Sequence, residues 1–160
     1  MPLFTLMTTQ KLATDVETLW DFISSPKNLE KITPPSMGFA IVTPDLPEKM
    51  YPGVLIAYDV KPLWGLKMRW VSEITHIVHL TYFIDVQRMG PYRFWHHQHH
   101  VEAIPGGVIM RDIVHYQPPL GWLGAGLNRL VIHRQLTTIF EYRRRKMDEI
   151  FGGDGVNGYR

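Results

Sequence analysis

The sequence predicts an α+β domain in which a curved antiparallel sheet of about seven strands wraps on a long C-terminal helix, with two short helices between the first and second strands. Three observations carry this expectation. A period-two segment opens the chain, and two short helical patterns follow it at once. Six further period-two segments then succeed one another through short connections, which antiparallel pairing allows and parallel pairing does not. From Leu127 to about Phe151 the apolar spacing turns helical.

Phe4–Leu12, rich in Thr and large apolar residues, reads as the opening strand. Thr14 is expected to cap the next helix, with Glu17 completing a capping box and Val16, Leu19, Trp20 and Ile23 forming its apolar stripe. Ser25-Pro26 ends that helix, because proline disfavours helical geometry in the residue before it. A second short helix is expected over residues 27–32, with Leu29 and Ile32 inward and Pro34-Pro35 as its stop. Residues 39–43 form a short strand, 44–52 a proline-bearing loop, and 54–60 a strand closed by Pro62 and a Trp64-Gly65 turn. Residues 66–78 form a long strand with Met68, Trp70, Ser72 and Ile74 on one face, and residues 80–89 form another before the Gly90-Pro91 bend. The histidine-rich strand covers 93–103, and Pro105-Gly106-Gly107 turns it into the last strand, 108–117. Pro118-Pro119 and the glycine-rich stretch 121–126 lead to the long helix. Its buried stripe reads Ile132, Leu136, Ile139, Phe140, Met147, Ile150 and Phe151.

A chain of 160 residues suits one domain with one core, expected over 1–152, with 153–160 as a disordered tail. No apolar run approaches the ~20 residues that span a bilayer, and the N-terminus lacks the features of a secretory signal. Without cysteine there is no disulfide, thiolate metal site or Cys nucleophile. The expectation is a cytoplasmic protein with no stable membrane association. A net charge of +2, from 17 basic against 15 acidic residues, is too weak for a nucleic-acid footprint. The dense run Arg143-Arg144-Arg145-Lys146 reads as a solvated helix end that meets the negative end of the helix dipole. The glycines at 121, 124 and 126 lack the Lys-Ser/Thr of a phosphate loop, and no G-x-S-x-G element supports a hydrolase triad.

Half of the eight histidines lie in His96-His97-Gln98-His99-His100. On a strand, Trp95, His97, His99 and Val101 share one face, and His96, Gln98, His100 and Glu102 share the other. The first set is bracketed by apolar residues and should point inward. The same alternation turns Phe83, Asp85 and Gln87 inward, and likewise Met110, Asp112, Val114 and Tyr116. Asp85, Gln87, His97, His99, Asp112 and Tyr116 are therefore expected to converge between sheet and helix. A carboxylate that accepts an imidazole N–H fixes its tautomer and frees the other ring nitrogen for a proton or a ligand. His97 and His99 with Asp85 or Asp112 also match a two-His, one-carboxylate metal site, but no thiolate accompanies them.

The order of elements and several motifs resemble the SRPBCC superfamily, also called START-like or Bet v 1-like, and within it the bacterial polyketide cyclase/dehydrase-like ligand-binding branch. The matching residues are Val16-Glu17-Thr18-Leu19-Trp20-Asp21-Phe22 with Pro26, Phe83-Ile84-Asp85-Val86-Gln87, and Gly90-Pro91-Tyr92 with Trp95, His97 and His99. Asp112, Val114, Tyr116 and Pro118 follow, then Ile139-Phe140-Glu141-Tyr142-Arg143. The resemblance covers roughly residues 3–151 and implies a helix-grip fold, no cofactor and no metal. It specifies the fold better than the function.

The first functional expectation is binding of a small hydrophobic or amphipathic molecule in a cavity between sheet and helix. Trp70, Phe83, Gln87, Trp95, Met110, Tyr116, Leu136 and Phe140 would line it, and the Asp and His residues would orient the polar end. The alternative is a cyclase or dehydratase acting on a polyketide-like substrate, with His97 or His99 as base and Asp85 or Asp112 as its orienting partner. A third is an interaction module using Trp64, Trp122 or the basic helix end. A homodimer is compatible with any of the three.

Overall fold

The computed structural model describes residues 2–61, 65–119, 131–153 and 157–159. Strand β1 (Phe4–Leu12) leads into helix α1 (Val16–Ile23), then 3₁₀ helices over Pro26–Ile32 and Pro35–Met37. Strands β2 (Ala40–Ile41), β3 (Leu55–Val60), β4 (Met68–Val78), β5 (Tyr82–Met89), β6 (Phe94–Ile104) and β7 (Gly107–Gln117) follow. Helix α2 (His133–Phe151) and a short strand β8 (Asn157–Tyr159) complete the order. The strands form one sheet in the order β2-β3-β4-β5-β6-β7-β1-β8, with every neighbouring pair antiparallel. This is the α+β helix-grip arrangement. The sheet curves, and β4 and β5 slip register at Val71/Ser72 and at Ile74/His76, irregularities of the kind that bend a strand.

Local chemistry departs from expectation at four places. Asp15, not Thr14, caps α1: its carboxylate accepts the Thr18 N–H at 2.7 Å and the Thr18 hydroxyl at 2.8 Å. The second helix is a 3₁₀ turn, because Pro26 supplies no N–H and Pro34-Pro35 leaves no room for a further α turn. The tail expected to be disordered places Asn157–Tyr159 against Thr8–Gln10, covering the middle of the β1 edge. Ile150, assigned to the buried stripe, is 43% exposed, while Met147 is fully buried. The Trp64-Gly65 turn, Trp122, the glycines at 121, 124 and 126 and the helix start at Leu127 involve positions outside the described residues.

Alternation sorts the sheet as the sequence predicts. Trp95, His97, His99 and Val101 are buried, and His96, Gln98, His100 and Glu102 are not. The inward residues form one core with Leu19, Trp20 and Ile23 of α1 and Leu136, Phe140 and Met147 of α2. At ~1.5 Å per residue, the 19 residues of α2 extend about 28 Å across this face. Its far end is tied down by Gln10, whose Nε2 donates at 2.8 Å to the Arg144 carbonyl and at 2.8 Å to Asp148 Oδ1. Ala13 N–H reaches the Gly152 carbonyl at 3.0 Å. These bonds hold α2 in a fixed rotation, and the rotation decides which side chains face the sheet. No described helix is long and apolar enough to cross a membrane.

Candidate functional site

The two-residue turn at Pro105-Gly106, with Gly106 at φ 78°, pairs Ile104 with Gly107 and so sets the register of the whole β6–β7 hairpin. That register places Asp112 opposite His99. On the other side of β6, Asp85 of β5 pairs with His97. Two carboxylates thus flank two imidazoles whose ring centroids are 3.7 Å apart. His97 Nε2 donates to Asp112 Oδ1 at 2.9 Å, and His99 Nδ1 lies 2.9 Å from the same oxygen. On the opposite side, Asp85 Oδ2 is 2.8 Å from His99 Nε2 and 3.4 Å from His97 Nδ1. Phe83 stacks on His99 with centroids 4.1 Å apart and fixes its plane.

A fifth polar group arrives from α2. Arg143 Nη1 lies 3.8 Å from Asp112 Oδ1, and Nη2 lies 3.4 Å from His99 Nδ1. Its side chain is only 13% exposed, and Nε, buried, has no hydrogen-bond acceptor among the described residues. The solvated reading of the Arg143-Arg144-Arg145-Lys146 run therefore fails at its first member. Leu136, Phe140, Arg143 and Met147 stand at helical spacing on one face, so Arg143 is in phase with the core.

The electrostatics follow from four ring nitrogens facing two carboxylates. Burial and the neighbouring His99 push His97 down to about 4, against the pull of Asp112. Burial also opposes charge on His99, but Asp112 and Asp85 outweigh it and hold His99 above the usual imidazole range. Burial raises both carboxylates. The His99 bond, with His97, reverses this for Asp85, and Arg143 with the two histidines holds Asp112 well below the usual range. His97 is thus neutral, with its proton on Nε2, and the long contact to Asp85 is the one left without a proton. Two carboxylates, imidazolium His99 and Arg143 sum to zero, the charge state a buried cluster tolerates.

Beside this cluster the space between sheet and α2 forms a pocket of about 170 Å³. Asp85, His97, His99 and Arg143 line its polar end, and Tyr58, Trp70, Tyr92, Trp95, Leu136 and Phe140 line much of the rest. Of the expected lining residues, Trp70, Phe83, Trp95, Leu136 and Phe140 reach it. Asp112 does not line the pocket; it stands behind the imidazoles. Gln87 is spent elsewhere, its amide bonding the Tyr92 carbonyl at 2.6 Å and the Tyr92 N–H at 3.2 Å. A Cβ on Gly90 would sit 2.4 Å from that amide oxygen, so the glycine makes room for the clasp. Met110 and Tyr116 face inward but are covered by neighbours. Tyr116 packs on Phe4, Tyr92 and Trp95, and its hydroxyl lies 3.4 Å from His133 Nδ1. Tyr92, Tyr58 and Arg143 are among the pocket residues that reading for apolar alternation overlooked.

No family model matches the chain, and no curated protein matches it. Solved structures do. A Mycobacterium smegmatis protein superposes with a TM-score of 0.65 at 21% identity, covering 91% of this chain and 89% of its own. A Chromobacterium violaceum protein gives 0.70 at 12%, with 94% and 99% covered. Ginseng major latex-like protein 151 from Panax ginseng gives 0.67 at 11%, with 93% and 97% covered. The chain has the Bet v 1-like, START-like fold.

Proposed function

We propose that the protein binds a small amphipathic molecule, its apolar body among Trp70, Trp95, Leu136 and Phe140 and its polar end at Arg143 and His97. One observation carries this reading: an apolar pocket that terminates in a buried, charge-balanced polar cluster holding an unsatisfied donor. Proteins of the Bet v 1-like fold are generally ligand-binding, and mostly apolar pockets with a few placed polar groups are the usual form of such sites. Size narrows the class. A dry cavity of about 150 Å³ accepts benzene, so a pocket of about 170 Å³ suits one ring with a short polar substituent.

The test is ligand-observed NMR with toluene, phenol and benzoate. Saturable binding is expected, with phenol or benzoate favoured over toluene and a Kd in the high-micromolar range, about −5 kcal/mol. Arg143→Leu should erase the preference for the polar probes, and Ile139→Trp, which fills the pocket wall, should erase binding of all three. No saturable binding by any probe would sink the proposal.

A second reading, acid–base catalysis on a cyclase- or dehydratase-type substrate, draws support from one feature. Both imidazoles are oriented by Asp112, and both line the pocket. On that reading His97→Ala abolishes turnover while probe affinity stays within about tenfold; equal losses favour binding alone.

A further inference from the structure

We infer that Asp85, His97 and His99 form a mononuclear site for a divalent first-row transition metal, with Asp112 holding both imidazoles from behind. One donor atom from each of the three lies within 4.8 Å of the others. Asp85 Oδ2 stands 2.8 Å from His99 Nε2 and 3.4 Å from His97 Nδ1. Donors held at ~2.0–2.1 Å from a common ion are about 3.0–3.4 Å apart in octahedral or tetrahedral shells. Asp85 already stands near such a separation from each imidazole, and the two ring nitrogens lie within 4.8 Å of each other.

The stronger observation is what lies behind them. A metal-ligating histidine commonly donates its other ring N–H to a carboxylate, which fixes its tautomer and orientation. Here Asp112 Oδ1 stands 2.9 Å from His97 Nε2 and 2.9 Å from His99 Nδ1, the two nitrogens that would not be ligands. One buried carboxylate thus serves both rings, and the remaining nitrogen of each approaches Asp85. Charge agrees with geometry. An ion bound at His99 Nε2 displaces that ring's extra proton, so two carboxylates and one guanidinium leave a single negative charge, and a divalent ion brings the cluster to +1. Two imidazoles and one carboxylate without thiolates suit Zn²⁺, Fe²⁺ or Co²⁺ rather than Mg²⁺ or Ca²⁺. Since all three ligands line the pocket, the open positions of the ion would face its interior. Sequence reasoning, with no thiolate in view, set a metal aside; the shared carboxylate behind both rings is what reopens it.

Capture by outer-face histidines is the competing explanation, since the His96 and His115 rings lie 6.1 Å apart on the opposite side of the sheet. Tag-free, chelator-treated full-length protein should therefore be titrated with Co²⁺ alone, read by visible absorption and calorimetry. The expected result is one ion per chain, abolished by His97→Ala with His99→Ala and unaffected by His96→Ala with His115→Ala. Asp112→Asn should weaken affinity about 10–100-fold. No saturable binding, or binding that survives loss of His97 and His99, overturns the inference. If the double variant does not fold, the wild type decides: paramagnetic broadening of amide signals centred on Asp85, His97 and His99 supports the site, and broadening centred on His96 and His115 overturns it. The metal is read without organic ligand and the ring probes are read after chelation, so either reading can fail alone.

Discussion

The two ends of the pocket both carry buried polar atoms and use them in opposite ways. At the aromatic end, Ser72 Oγ receives the Trp70 Nε1–H at 3.1 Å and meets the Tyr58 hydroxyl at 3.1 Å. The three groups satisfy one another, and Phe39, Tyr58, Trp70 and Trp95 make successive ring contacts at centroid separations of 4.8, 5.9 and 5.1 Å. A ligand meeting this wall meets hydrocarbon. At the other end, Asp85, His97, His99, Asp112 and Arg143 also bond among themselves, but the account does not close: Arg143 Nε lacks an acceptor, and His97 Nδ1 faces a carboxylate without a proton between them. A polar atom in a pocket wall marks a binding point only when its own wall leaves it unsatisfied.

The largest expected effect comes from breaking the open end. Asp112→Ala leaves His97, His99 and Arg143 sharing Asp85 alone. Removing one partner of a buried ion pair costs about 3–5 kcal/mol, to be read as a fall in the urea midpoint of metal-free protein. The sign of its pH dependence follows from the depressed Asp112 pKa. Ionised Asp112 contributes stability above the ordinary carboxylate value of about 4, and that contribution is lost as pH falls below it. Wild type should therefore lose stability in acid more steeply than Asp112→Asn; parallel curves would mean that the carboxylate stabilises nothing.

Breaking the closed end should cost less and leave binding alone. Ser72→Ala strips the shared acceptor from Trp70 and Tyr58, leaving buried donors unsatisfied at about 1–3 kcal/mol. Phenol and Co²⁺ affinity should stay at wild-type levels. A loss of probe preference in this variant would erase the distinction between the two ends.

Most of this architecture can be read from residue order, and the gaps have physical causes. Alternation separated His97 and His99 from His96 and His100 because Trp95 and Val101 mark one face as apolar. Alternation assigns a face, though, and not which inward residues border empty space. Met110 and Tyr116 face inward as expected, yet β7 lies between β6 and β1, and side chains from its neighbours cover it. Gln87 was lost to a local turn that no sequence pattern marks: its amide folds back on Tyr92 only because Gly90 carries no side chain. Arg143 was hidden by company. Four consecutive cations suggest a wet surface, whereas counting from Leu136 and Phe140 puts the first of them on the buried face. The meeting of Asp112 with His99 rests on the length of the Pro105-Gly106 turn, which a reading by faces alone does not use.

The smallest effect tests the closed end most finely. Tyr58→Phe removes one hydroxyl, but Ser72 Oγ keeps the Trp70 N–H and the ring keeps its place between Phe39 and Trp70. Burial, with Asp85 nearby, holds the Tyr58 phenol well above its usual range, so it is neutral between about pH 5 and 8 and its loss removes no charge there. One net hydrogen bond is worth about 0.5–1.5 kcal/mol, and the urea midpoint should fall by that much or less, independently of pH between 5 and 8, about the range where only histidine titrates. A larger loss, or one that varies with pH across that range, would show that Tyr58 is coupled to the charged cluster and that the two ends of the pocket act as one network.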